Sequence, residues 1–580
     1  MKLRFSHPKR SKVSLFGRLI GAIENKLPSD RLILRILFFT LIGSLVSAGI
    51  IYSTSLSQES PVAGGTIEEG VIGVPRFVNP SLAVTRADLD MTALIYSGLM
   101  KINSAGVLVP DLAESVTVSE DGKTYNIIIR NNVRFHDGTP LTARDVAFTI
   151  GLIQNADLKS PLRGNWSDIT VEEIGEYELN ILLTQAYTPF IENFTLGILP
   201  KHIWSTVPIE QVPFSTHNTE PIGSGPFMVE NIIRDEAGLI SVFELEKFTD
   251  NKDVILSGVN VHFYQNEDDL LTAFNEKEIL STTQLPASEV VALRTNPAYQ
   301  IISEPLPRVF AVFFNQNRSP ALRDTAVRLA LTTAIDRDVL VDTALMGFGV
   351  PINSPVPPNH PAVESLSQNV ERSTSTATTK AESILTRAGW IKNNTGVWEK
   401  RIDGEVRTLS ITLKTANTPA FEATTEVIAR AWRDLGVTVQ IEAFEQSDLL
   451  QAVIRPRDFE SLLFGLDMNR AVDLYPFWHS SQREDPGLNI SQYANIEVDK
   501  LLDKARVATS TEAVKAATEG ALQIIARETP AAFLYSPNLV YVINKEVKVT
   551  PAVRLSKPQD RFMNISEWNT ATDNIWPIFK

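Results

Sequence analysis

Residues Ser115–Val146 read SVTVSEDGKTYNIIIRNNVRFHDGTPLTARDV. Val116 and Val118 alternate with polar neighbours, and Tyr125, Ile127 and Ile129 alternate again. A period of two marks half-buried strands. Between them stands Asp121-Gly122, a pair that tolerates the positive φ of a tight turn, so a hairpin is predicted over Ser115–Ser119 and Lys123–Arg130. A third extended piece, Val133-Arg134-Phe135, runs into His136-Asp137-Gly138-Thr139-Pro140. Thr142 then starts a helix as its cap, with Asp145 at the positive dipole end and Val146, Ile150 and Ile153 as the inner stripe. His136 and Asp137 invite a reading as a catalytic pair, but Asp and Gly serve turn geometry, and a β-turn is expected.

Strand and helix patterns alternate further along. Gly65–Gly73 is strand-like, and Asp88–Met100 carries helical spacing at Leu89, Leu94 and Leu99. Helices are predicted at Arg323–Ile335, Arg337–Met346 (capped by Asp336), Thr418–Leu435 (stopped by Gly436), Ser447–Ile454, Asp499–Val507 and Ala513–Ala526. Strands are predicted at Leu409–Leu413, Val437–Ala443, Ser461–Phe464 and Phe533–Val542. Such alternation argues an α/β fold with a parallel or mixed sheet. Gly223-Ser224-Gly225 lacks the Gly-x-Ser-x-Gly spacing of a nucleophile elbow and precedes Pro226, so it too reads as a turn. The chain has no phosphate-binding Gly-x-x-x-x-Gly-Lys and no His-Glu-x-x-His, and its seven histidines are scattered without metal-site spacing. No cofactor and no metal site are expected.

The chain has 580 residues, net charge −14 and no cysteine, which excludes disulfides, thiol nucleophiles and a lipid-modified cysteine anchor. Its charge is uneven. Residues 1–35 hold nine Lys or Arg against Glu24 and Asp30, so the remainder is strongly acidic and unsuited to nucleic acid. Leu32–Tyr52 is largely apolar and long enough to span a bilayer, with Arg31 and Arg35 on its N-terminal side only. The one-sided positive charge places the N-terminus in the cytoplasm and the body outside it. The long basic lead favours a retained anchor, and a signal peptide cut after Val46-Ser47-Ala48 stays open as the alternative. Residues 53–64, rich in Ser, Pro and Gly, read as a flexible tether.

Several stretches together carry a resemblance. Ile95-Tyr96-Ser97-Gly98-Leu99, Leu108–Ser115, Ser119–Tyr125 and Val133–Val146 follow in order over about fifty residues. Later come Gly223-Ser224-Gly225-Pro226-Phe227, Val312-Phe313-Phe314-Asn315, Ala334-Ile335-Asp336-Arg337, Ala388-Gly389-Trp390, Tyr475–Gln482 and Val498–Leu502. Over residues 65–550 the chain resembles the family 5 solute-binding proteins, the peptide- and nickel-binding receptors of ABC importers. The resemblance implies a two-lobe periplasmic-binding-protein-like α/β fold, here preceded by one N-terminal transmembrane helix. The expected layout is a basic cytoplasmic segment (1–31), an anchor (32–52), the tether (53–64), a first lobe with an inserted subdomain (65–307), a second lobe (308–530) and a return to the first lobe (531–580). The chain would cross between lobes near Leu306–Val309 and Thr529–Phe533.

The resemblance also implies the site. Peptide receptors of this family often carry a Gly-Trp and an Asp in the segment matching Phe464–Pro476, and that Asp can pair with a ligand ammonium group. Here Leu466 replaces the Trp, and Asp473 matches the Asp. Asp473 is therefore a candidate ligand contact, with loop shaping as the competing reading and Asp467 as an alternative partner. Trp478, Tyr475 and Phe477 are candidate cleft aromatics, each equally readable as lobe core, and Tyr96 and Asn315 are placed near the cleft by the resemblance alone. The expected function is capture of peptides or similar solutes by lobe closure and delivery to ABC permease subunits, by a monomer that does no covalent chemistry. The expected location is the cytoplasmic membrane, single-pass, with the body on the extracytoplasmic side. A membrane-anchored hydrolase of peptides or glycans is the alternative, since two carboxylates suffice for glycoside hydrolysis. A sensory or scaffold protein with the same lobes is a third.

Overall fold

The computed structural model describes residues 27–56, 58–251, 253–358, 360, 374–508 and 510–575. Most of the basic N-terminal segment and the last five residues lie outside these. The structure divides into two units.

In the smaller unit, an unbroken helix runs Pro28–Leu56. Its stretch Pro28–Ala48 has a mean hydropathy of 1.8 and is long and apolar enough to cross a membrane. The tether expectation changes here. Residues 53–56 continue the helix, and Gln58–Pro61 pairs antiparallel with Thr572–Ile575, so regular backbone hydrogen bonding replaces an open linker.

The larger unit, Ala63–Thr570, is organised by one mixed sheet, 12-stranded among the described residues. One half holds Thr66–Ile72 at its centre, parallel to Gly258–Tyr264 and to Ser281–Thr282, with Ile240–Lys247 and Phe227–Arg234 added antiparallel. The other half holds Arg308–Phe314 antiparallel to Ser461–Asp467, which continues parallel to Ser410–Ala416 and Thr438–Phe444. Each half has its own core. Val71, Leu94, Phe243 and Tyr541 belong to the first, Val312, Leu331, Trp432 and Leu534 to the second.

One strand, Ala531–Asn544, joins the halves. Its Ala531–Tyr535 part pairs with Arg308–Phe314, and Asn538–Asn544 pairs with Tyr299–Pro305. Phe533 and Tyr535 accordingly pack in second-half cores, while Tyr541 and Ile543 pack in the first.

The hairpin forms as Ala113–Val118 and Thr124–Ile129, with Val118 opposite Tyr125 and Gly122 alone at positive φ (70°). It lies in a separate four-stranded antiparallel sheet with Glu178–Leu183 and Ile169–Glu173. The helix Ala143–Gln154 buries Val146, Ile150 and Ile153 against that sheet's Tyr125, Ile127 and Ile181. Asp145 closes its first turn by accepting from the Thr142 N–H (2.9 Å), and its other oxygen accepts from the Lys201 N–H (2.9 Å).

Two helices depart from the sequence expectation. The helix Arg86–Ile95 buries Asp88 and Asp90 on its inner face, leaving Leu89 on the half-buried side. The carboxylates are buried beside the apolar Ala87, Met91, Leu94 and Ile95, and they can be because Asp88 accepts the Arg76 and Phe77 N–H groups (2.7 and 2.8 Å) and Asp90 meets Arg86 and Arg561. The expected helix at Ser447–Ile454 is one short turn, Gln446–Asp448, followed by a wider π-helical run, Leu449–Ile454.

Candidate functional site

A cleft of about 1340 Å³ is lined from both halves of the sheet and from the four-stranded subdomain. Its second-half wall is built by the segment after strand Ser461–Asp467. That strand ends at the cleft, and the loop to the short helix Tyr475–Trp478 turns through left-handed backbone at Asn469 (φ 39°) and Val472 (φ 48°). Such a conformation is costly for a β-branched residue, and Val472 is held in it by burial among Leu466, Leu474 and Phe477.

Asp473 follows directly. Its Oδ1 accepts the Tyr475 N–H (3.0 Å), so it does shape the loop. Its Oδ2 meets Arg506 Nε (2.9 Å) and Nη2 (2.8 Å), and accepts from the Tyr187 hydroxyl (3.3 Å). Arg506, at the end of helix Ile496–Val507, lies over two rings, 4.1 Å from the Tyr475 centroid and 4.9 Å from that of Tyr187. Tyr475 is stacked in turn on His479 (4.1 Å). Burial pushes the Tyr187 phenol up to about 12, with Asp473 adding to the rise, so the hydroxyl stays a donor.

A second bridge lies nearby. Arg470 donates to the Arg554 carbonyl (2.6 Å) and to Asp560 (2.6 Å), and lies 3.6 Å from Glu192. Burial raises the Glu192 pKa, against the opposing pull of Arg470. Thr188 Oγ1 donates to the Ala508 carbonyl (2.9 Å). Tyr187, Thr188 and Glu192 stand in the subdomain, while Arg470, Asp473 and Arg506 stand on the second half, so these contacts span the cleft.

Of the residues singled out from the sequence, Asp473, Tyr475, Asp467 and Tyr96 line this one cleft. Asp467 is half exposed and pairs with Arg308 (3.2 Å) across the strands. Tyr96 is buried, its hydroxyl donating to the Val78 carbonyl (3.2 Å). Trp478 and Asn315 are not among the lining residues. Trp478 is 1% exposed and packs against Phe313, Tyr493 and Phe533 in the second-half core. Asn315 is buried and donates to the Arg457 carbonyl (3.0 Å). Sequence reading missed Arg506, Tyr187 and Arg470. Arg506 looks like an ordinary basic residue at a helix C-terminus, and nothing local marks Tyr187.

The profile of the bacterial extracellular solute-binding proteins, family 5 middle region, matches residues 107–485. The oligopeptide-binding protein AppA of Bacillus subtilis is 30% identical over 507 residues, covering 84% of this chain and 89% of its own. The structure of AppA from Bacillus subtilis with a nonapeptide superposes with a TM-score of 0.65 at 27% identity, over 88% of this chain and all of that one. The substrate-binding protein CtaP of Listeria monocytogenes, at 24% identity, shares the fold with a TM-score of 0.72 over 88% of this chain and all of its own.

Proposed function

The chain belongs to the family 5 bacterial extracellular solute-binding proteins, and from that premise we propose that its cleft captures peptides by lobe closure and delivers them to the permease of an ABC importer. The observation that carries this is the cleft itself: about 1340 Å³, walled by both halves and the subdomain, and spanned by side-chain pairs between the subdomain and the second half. A volume of that size suits a peptide. The protein acts by binding and release, without covalent chemistry, as a monomer held to the membrane by helix Pro28–Leu56 with its body outside the cytoplasm.

Hinge closure needs two flexible crossings. The second was expected at Thr529–Phe533, but Ala531–Tyr535 still pairs with Arg308–Phe314 of the second half, so we place the two side by side at Leu306 and at Ser536–Pro537, where the Ser536 hydroxyl donates to the Leu306 carbonyl (2.6 Å) and the Leu306 N–H to the Pro537 carbonyl (3.0 Å).

Small-angle scattering with a saturating mixture of random nonapeptides tests the reading. The radius of gyration is expected to fall, and peptides recovered afterwards are expected to be intact by mass spectrometry. An unchanged radius overturns closure, and shortened peptides return the hydrolase reading.

A further inference from the structure

The carboxylate at the centre of the second-half wall already has its cation. Three donor contacts converge on Asp473 Oδ2, two from Arg506 (2.9 and 2.8 Å) and one from Tyr187 (3.3 Å), while the Tyr475 N–H takes Oδ1 (3.0 Å). A further ammonium at Oδ2 has to displace one of them. Arg506 is poorly placed to leave, because its guanidinium also lies over two rings, Tyr475 of its own half (4.1 Å) and Tyr187 of the subdomain (4.9 Å). A guanidinium keeps its charge at any ordinary pH, so it also repels an approaching cation. Three other carboxylates of the cleft are engaged as well, Asp467 by Arg308, and Asp560 and Glu192 by Arg470, while the exposed Asp503, three residues before Arg506, lies 3.7 Å from His479.

We propose that Arg506 is a resident cation occupying Asp473, so that the cleft takes peptides whose amino end at this wall is uncharged, such as N-acylated peptides. The proposal rests on the peptide-receptor reading and names the ligand class for that site. It makes Arg506 a specificity-determining residue, with Tyr187 and Tyr475 holding it in register.

The test is a competition. Random nonapeptides, half with a free amino end and half N-acetylated, are incubated with the full chain in detergent, and the captured peptides are counted by mass spectrometry. The wild-type chain is expected to capture N-acetylated peptides at least as well as free ones. Arg506→Met, which frees the Asp473 carboxylate, is expected to raise the free-to-acetylated ratio about tenfold. Tenfold preference for free amino ends in the wild type, or an unchanged ratio in a folded Arg506→Met, overturns the proposal. Should Arg506→Met not fold, Asp473→Asn decides: equal loss of both sets supports the resident cation, and selective loss of free-amine peptides overturns it. Capture of neither set by the wild type removes the peptide-receptor reading itself, an outcome distinct from capture with the opposite preference.

Discussion

The His136 ring sits in the turn at residues 135–140 with its Nδ1 3.2 Å from the Gly223 N–H and its Nε2 3.2 Å from the Gly225 carbonyl. That pattern suits a neutral ring protonated at Nε2, since a protonated Nδ1 cannot accept. Burial lowers its pKa from the ordinary 6.5 to about 4, outweighing the opposing influence of the Gly225 carbonyl and Asp137. The folded value lies below the unfolded one, so the unfolded chain binds the extra proton first. Stability from this group is present above pH 6.5 and is lost as the pH falls towards 4. We expect about 2 kcal/mol of destabilisation between pH 7 and pH 5. Urea unfolding at the two pH values checks it, and the difference is expected to shrink in His136→Gln. The two turns read separately in the sequence thus touch through His136, and the glycines let the second lie against the end of helix Arg86–Ile95. A Cβ at Gly223 would lie 2.0 Å from the Ile95 carbonyl oxygen, and one at Gly225 2.5 Å from the Ile95 carbonyl carbon.

Elements whose signals are local were legible. Asp336 caps Arg337–Leu345 as expected, and Gly436 ends Pro419–Leu435 at φ 96°, while the helix expected from Arg323 starts two residues later, at Thr325, behind an Asp324 cap. What could not be read is what depends on distant partners. The inner face of helix Arg86–Ile95 carries Asp90 because Arg561 donates to it (2.7 Å) from 471 residues on. Arg561 also meets Glu69 (2.8 Å) on strand Thr66–Ile72, and Glu69 accepts from Tyr541 (2.7 Å) and Ser281. Burial alone would depress the guanidinium pKa; Asp90 and Glu69 more than reverse that and hold it above its ordinary value. These charges are nearly sealed from water, with Arg561 3%, Asp90 1% and Glu69 0% exposed. Removing the cation strands two buried carboxylates. Arg561→Met is expected to destabilise by about 3–5 kcal/mol, and adding Glu69→Gln and Asp90→Asn should restore part of it, read from urea midpoints. The site shows the same divide. Asp473 and Tyr475 were visible in their segment, whereas Tyr187 reaches Asp473 from 286 residues away.

At the scale of the whole molecule, the strand Ala531–Asn544 decides whether either half is complete. It supplies a neighbour to Arg308–Phe314 in one half and to Ser281–Thr282 and Tyr299–Pro305 in the other. A chain truncated after Pro530 is therefore expected to lose both cores together and not one lobe alone. Limited proteolysis should find no protected fragment of lobe size, and a stable fragment confined to 308–530 would contradict this.

The same strand bears on how the protein is made. Thr66–Ile72 is among the first body segments to emerge during synthesis, yet the sheet around it waits for residues beyond 530, and Glu69 waits for Arg561. Contacts so distant along the chain form late. Until the last tenth of the polypeptide has been made, the strands that pair with Ala531–Asn544 keep open edges. Unpaired edges of that kind are templates for mispairing and aggregation until the closing strand arrives.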